Sequence, residues 1–119
     1  MSQARNRINQ NSYLRCVDDL LSTDQVASMR QWRHHFSATT YDHSLFVSYV
    51  AFRIARRWNC DYRMVARMGL LHDLYLYDGH DRTAYPGNHC FYHPAAALNN
   101  ARELVEMSEK EENIIVSHM

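Results

Sequence analysis

The adjacent pair His72-Asp73 is the feature of this sequence that points most directly to chemistry. It stands in the apolar run GLLHDL (residues 69–74), where an ionised carboxylate is costly to bury unless it is paired or binds a cation. Helical neighbours lie about 100° apart around the axis, so both side chains can reach one ion beside a helix. The alternative is a helix whose Asp73 faces solvent. Mixed imidazole and carboxylate ligands favour a borderline or hard divalent ion, so the pair predicts a metal site.

Histidine is abundant, with eight in 119 residues, and four of the eight fall on apolar rows of predicted helices. The rows are His43 with Val47, Val50, Ile54 and Trp58; His72 with Val65 and Met68; His93 with Ala97, Ala101 and Leu104; and His118 with Ile114 and Ile115. A single inward-facing histidine is more often a core residue bonded to a carbonyl, and that alternative stays open for each. Four together favour a shared metal ion, because every buried imidazole needs polar partners.

Sparse helix breakers, with 3 glycines and 2 prolines, and apolar residues at helical spacing predict an all-α chain. We expect a compact bundle of about six helices, with a frayed N-terminus over residues 1–12 and a single domain over residues 13–119. The expected helices cover residues 13–21, 25–33, 43–58, 62–76, 92–107 and from 109 onward, with loops over 34–44 and 78–90. Ser108 and Glu111 predict a capping box for the sixth helix. That helix has no stop signal before Met119, which predicts that the last core helix is missing from this chain.

The charge balance argues against a nucleic-acid partner, because 13 Lys and Arg equal 13 Asp and Glu. The N-terminus is polar, and no stretch is apolar enough for a secretion signal or a membrane span. Three widely spaced cysteines form neither a CxxC pair nor a disulfide ladder, which is typical of a reducing compartment. We therefore expect a cytoplasmic protein with no membrane partner, and the oligomeric state stays open.

Four segments together resemble the HD-domain superfamily of metal-dependent phosphohydrolases, which is named for the His-Asp dipeptide. They are YDHSLFVSYVAFRIA with His43, ARMGLLHDLYLYD with His72-Asp73, FYHPAAALNNA with His93, and NIIVSHM with His118. The resemblance covers residues 31–119 and implies the helical HD fold. It is specific because the dipeptide follows GLL, has a histidine 29 positions upstream and has two more histidines downstream.

The resemblance implies that His43, His72 and Asp73 hold a first metal ion, and that Asp73 bridges to a second ion held by His93 and His118. The family's final aspartate has no counterpart before Met119. Some two-metal members carry a second histidine directly after the position of His118, where this chain has Met119. One or two divalent ions are therefore expected, from among Fe, Mn, Zn, Ni and Mg.

Three further histidines are expected near the substrate, because their loops would border the pocket: His35, His80 and His89. An exposed loop histidine is the alternative for each, and His34 is expected to be exposed.

Hydrolysis of a phosphomonoester or phosphodiester is the predicted reaction, and nucleotides are the commonest substrates of such folds. Asp73 is the predicted catalytic residue, since it would hold the metal and orient the attacking water. The predicted partner is thus a small phosphorylated substrate. Two alternatives remain: a di-iron oxygenase on the same scaffold, and a non-catalytic metal-binding or regulatory HD module.

Overall fold

The structure is a computed structural model that describes residues 3–117, the side chain of His35 excepted. In this range the chain forms six α-helices and one short antiparallel hairpin. The helices are α1 (Gln3–Leu21), α2 (Asp24–Ser28), α3 (Thr40–Arg57), α4 (Tyr62–Leu71), α5 (His89–Arg102) and α6 (Glu109–Val116), and the strands are β1 (Arg33–His35) and β2 (Ala38–Thr39). The predicted all-α bundle is confirmed. Among residues 3–117, no helix is both long and apolar enough to cross a membrane.

Helix α1 begins at Gln3, so the expectation of a frayed N-terminus is wrong for residues 3–12. Its buried side chains recur at helical spacing from Tyr13 to Leu20 and pack into the core. Once this part is anchored, each preceding residue adds one backbone hydrogen bond, and Gln, Ala and Arg are good helix formers. The apolar period therefore marks where α1 is buried rather than where it starts. The extent of the domain stays a prediction.

The second helix is shorter than the predicted 25–33. Thr23 caps α2 by accepting the Val26 N–H, and the helix gives way after Ser28 to a 3₁₀ turn, Met29–Gln31. The chain is extended at Trp32, whose carbonyl accepts the Thr40 N–H at 2.8 Å. This hydrogen bond holds the chain at Trp32 against the start of α3.

A hairpin replaces the loop that was predicted for residues 34–44. Strands β1 and β2 pair antiparallel with Arg33 opposite Thr39 and His35 opposite Ala38. The turn between them contains Phe36 at a positive φ of 50°. Helix α3 then begins at Thr40, earlier than predicted, because Thr39 and Asp42 form a capping box. The hairpin lies over the N-terminal end of α3, where His43 is found.

Helices α3 and α4 pack against each other more extensively than any other pair of elements. The Ser48 hydroxyl donates to the Ala66 carbonyl at 2.6 Å and accepts from the Tyr13 hydroxyl at 2.8 Å. Gly69 lies directly against the Ser48 backbone, since a Cβ built on it would be 3.0 Å from the Ser48 Cα. Small side chains at this crossing bring the two helices into backbone contact.

The prediction that the apolar row of α3 faces the core is wrong. Val50, Ile54 and Trp58 are 38%, 54% and 67% exposed. The buried face instead consists of Thr40, Ser44, Ser48, Phe52 and Ala55. Hydroxyl groups can be buried there because neighbouring residues satisfy their hydrogen bonds, and their small size allows the close crossing with α4.

Helix α5 begins at His89 rather than near Tyr92, because Asn88 caps it by accepting the Cys90 N–H. It ends at Arg102, before the predicted residue 107. Helix α6 begins with the predicted capping box of Ser108 and Glu111, which is confirmed. Ile115 on α6 is fully buried, so this helix completes the core formed by the apolar faces of the other helices.

The contact between α3 and α4 predicts the effect of Gly69→Ala. Exchange of Gly for Ala inside a helix usually stabilises by about 0.5–1 kcal/mol. Here the new methyl would meet a backbone atom, which no side-chain rotation can move. We therefore expect the free energy of unfolding, measured with denaturant and circular dichroism, to fall by about 1–3 kcal/mol.

Asn99→Ala, on the exposed side of α5, is the control and should change stability by less than about 0.5 kcal/mol. If Gly69→Ala were as stable as the parent protein, the two helices would not be in backbone contact.

Candidate metal centre

Asp73 lies just beyond the end of α4 and is only 6% exposed. The prediction of a helix through residue 76 is wrong at this point. Helix α4 ends at Leu71, His72 is its C-cap, and Leu76 has a positive φ of 58°. The His-Asp pair is therefore placed by a turn, and the expected angle between helical neighbours does not apply. The turn directs the Asp73 carboxylate into a buried space beside α3 and α5.

Three imidazoles surround the Asp73 carboxylate. Its Oδ2 lies 3.2 Å from His72 Nε2 and 3.4 Å from His43 Nε2, and its Oδ1 lies 3.5 Å from His93 Nε2. The histidines come from the start of α3, the end of α4 and the first turns of α5. Four of the predicted metal ligands are thus brought together around one carboxylate.

The Nδ1 atoms of two of these rings are bonded to backbone carbonyls. His72 Nδ1 donates to the Gly69 carbonyl, and His93 Nδ1 donates to the His89 carbonyl at 2.9 Å. A carbonyl can only accept, so the proton of each neutral ring is on Nδ1 and the lone pair is on Nε2. Two lone pairs that face a carboxylate repel it unless a cation lies between them. This set of donor atoms fits a divalent metal ion.

His34 also belongs to this cluster, although the sequence predicted that it is exposed. Its ring stacks on the His43 ring, with centroids 4.0 Å apart and planes 9° apart, and it is half-buried. One ligand atom each from His34, His43 and Asp73 lie within 4.8 Å of one another. The hairpin, which the sequence did not predict, carries His34 to this position.

Two predicted residues cannot be compared with the structure. His118 lies outside the described residues, so the second metal site of Asp73, His93 and His118 stays a prediction. The side chain of His35 is also outside the described part of the chain, and its substrate role stays a prediction.

A pocket of about 260 Å³ opens onto the carboxylate. It is lined by Arg33, His34, Asp73, Tyr75, Gly79, His80, His89 and His93. The predicted substrate residues His80 and His89 both lie on its wall. Arg33 was not predicted, and it is the one permanent cation among the described residues that line this pocket.

The two loop histidines are held by polar and ring contacts. His80 Nε2 donates to the His34 carbonyl at 3.2 Å, which ties the loop to the hairpin. The His89 ring stacks on His93 with centroids 4.7 Å apart, and its Nδ1 is 2.8 Å from the Tyr77 hydroxyl. Burial, and then the neighbouring His93, lower the pKa of His89, so its ring is mainly neutral near pH 7.

A family model of the HD domain matches residues 40–118. The chain belongs to the HD-domain family. The matched segment contains His43, His72, Asp73 and His93, whereas His34 and Arg33 precede it. HD domains form a superfamily of metal-dependent phosphohydrolases, so a divalent ion is the ligand that this cluster of donors would hold. Comparisons with curated proteins and with solved structures gave no match.

The geometry predicts that His72→Ala lowers the affinity for divalent metal by at least about tenfold. Elemental analysis after gel filtration measures the bound metal, and thermal unfolding with and without added Mn²⁺ measures the stabilisation that binding supplies. His80→Gln is the matched control, because it removes an imidazole that does not contact Asp73 and its amide can still donate to the His34 carbonyl. If His72→Ala left both metal content and thermal stability unchanged, His72 would be an ordinary core histidine.

The role of His34 can be separated from its packing with two variants. His34→Phe keeps a ring that can stack on His43 but removes the ligand nitrogens, and His34→Ala removes both. We expect both variants to weaken metal binding by about tenfold or more in a calorimetric titration. If the Phe variant bound metal as the parent does, His34 would only support His43 by stacking.

Proposed function

We propose that this protein hydrolyses a phosphate ester, a phosphomonoester or phosphodiester, with nucleotides as the substrate class to test first. The observation that supports this best is the buried Asp73 carboxylate with the Nε2 atoms of His43, His72 and His93 around it. The arrangement opens into a pocket whose wall carries Arg33 and further histidines. Donors for a metal ion therefore lie beside donors for a phosphate group.

The metal would be held by Asp73 with His43 and His72, as the family resemblance implies, and by His34 as the structure adds. A bound divalent ion would supply a water of lowered pKa as nucleophile and would polarise the phosphoryl oxygens. Asp73 is the catalytic residue in this proposal, because its carboxylate would help to hold the ion and could orient the attacking water.

Arg33 would bind the phosphate group. A guanidinium offers paired N–H donors that match two phosphate oxygens, and Arg33 is exposed at the pocket wall. The volume of about 260 Å³ is small, so the phosphate and the start of the leaving group would fill it. The rest of the substrate would extend along a neighbouring depression of about 360 Å³ lined by Arg82, Tyr85, Gly87, Asn88 and His89.

His89 is shared by both depressions, so it would lie close to the leaving-group oxygen. Burial raises the pKa of the Tyr77 hydroxyl, which therefore stays protonated and can donate to His89 Nδ1. In that tautomer His89 Nε2 carries the ring proton and can donate a hydrogen bond to the leaving oxygen. His80 lines the same pocket and can also donate a hydrogen bond to the substrate.

A phosphatase screen tests the proposal, with the protein loaded in turn with Mn²⁺, Fe²⁺, Zn²⁺, Ni²⁺ or Mg²⁺ and assayed for phosphate release. We expect Asp73→Asn to lower kcat/KM by about a hundredfold or more, because the amide loses the charge that holds the metal. Asp78→Asn is the matched control. Asp78 Oδ1 accepts the His80 N–H, and an amide oxygen can accept the same bond.

Absence of phosphate release with every metal would contradict hydrolysis. Oxygen consumption by the iron-loaded protein with an organic substrate would favour the oxygenase, and metal binding without any turnover would favour the non-catalytic module.

A further inference from the structure

A second polar pocket lies at the opposite end of the α3–α4 pair from Asp73. It has a volume of about 530 Å³ and is lined by Ser12, Arg15, Cys16, Arg56, Asp61, Tyr62 and Arg63. Its arginines come from α1, the end of α3 and the start of α4. The rise per residue of an α-helix puts His43 and Arg56 about 20 Å apart along α3, so this pocket is separate from the metal centre.

The charge of this pocket is not neutralised by the protein around it. In residues 3–117, Arg67 and Arg102 have carboxylate partners within 4.0 Å, whereas Arg15, Arg56 and Arg63 form no such pair. Three arginines therefore stand against the single carboxylate of Asp61, which already accepts the Met64 N–H at 3.1 Å. All three side chains are exposed, and their like charges around one cavity would attract an anion that carries several negative charges.

The contacts of Arg56 and the pKa of Cys16 are consistent with a positive electrostatic potential in this pocket. The Arg56 guanidinium lies 5.6 Å and 5.5 Å from the ring centroids of Phe52 and Tyr62, which holds it at the rim. Burial raises the pKa of the Cys16 thiol at the base of the pocket, and the positive charges of Arg63 and Arg56 act in the opposite direction. Two arginines of this pocket, together with Arg67, thus act on the same buried group.

We propose that this pocket binds a small anion that carries two or more phosphate groups. Each of the three guanidinium groups, which lie on three helices, can offer a pair of N–H donors to phosphate oxygens. A single phosphate group has too few oxygens to accept all of these pairs, so an anion with two or more phosphates fits the pocket better. The cavity is about twice the volume of the pocket at Asp73 and lies in the usual size range of small-molecule sites. The Ser12 hydroxyl and the Tyr62 ring supply further contacts. This inference does not depend on the hydrolase proposal.

Binding of inorganic pyrophosphate tests the inference. The protein is first stripped of metal with a chelator, which is then dialysed away, and pyrophosphate is titrated by calorimetry. Arg15→Gln with Arg63→Gln removes two charges from the pocket, and neither side chain makes a ring or ion-pair contact within residues 3–117. Arg53→Gln with Arg57→Gln is the matched control, because it removes the same net charge from exposed positions of α3 outside the pocket.

We expect saturable binding to the parent protein and to the control pair, and a loss of about tenfold or more in affinity for the Arg15/Arg63 pair. Circular dichroism confirms that each variant is folded. The inference is overturned if the parent binds no pyrophosphate, if both pairs weaken binding equally, or if the Arg15/Arg63 pair binds as the parent does. None of these outcomes bears on phosphate release at Asp73, so failure here is distinguishable from failure of the proposed hydrolase.

Discussion

The burial of the Asp73 carboxylate is the constraint on which the rest of the structure depends. A carboxylate with 6% exposure is stable only if positive charge or several donors compensate for the lost water. Helix α3, the end of α4 and helix α5 place the Nε2 atoms of His43, His72 and His93 around the carboxylate, and a cation held among these atoms would supply that charge. The arrangement of these helices and the chemistry of the centre are therefore consequences of the same requirement.

The sequence predicted the members of this cluster better than it predicted their placement. The His-Asp pair and the histidines of α3 and α5 could be identified by residue type and by resemblance. The end of α4 could not be identified, because no Gly or Pro occurs between Leu71 and Gly79. The turn after it is stabilised from a distance, since the Asn100 side chain donates to the Leu74 carbonyl at 2.8 Å. A pattern of neighbouring residues cannot reveal a hydrogen-bond partner that lies 26 residues away in sequence.

The error on α3 arises because helical periodicity counts only apolar residues, and the error at the hairpin has a different cause. The periodicity selected the row of Val50, Ile54 and Trp58, whereas the structure buries Ser48, whose hydroxyl is satisfied by the Ala66 carbonyl. A buried hydroxyl with a partner costs little and lets two backbones approach, so here it outcompetes larger apolar groups. His34 was missed because a strand of three residues is too short to show a period.

The two polar pockets at the ends of the α3–α4 pair are electrostatically separate. Their separation of about 20 Å along α3 exceeds the screening length of about 8–10 Å at physiological ionic strength. The three unpaired arginines at one end therefore do not help to attract phosphate to Asp73, where Arg33 is the permanently charged side chain among the described lining residues and a bound divalent ion would add its own charge. A formal net charge of zero is consistent with both pockets, because a balance over the whole chain says nothing about local fields. Any influence of one pocket on the other must be mechanical. It would have to pass through the packing of α3 against α4, which includes the close approach of Gly69 to Ser48.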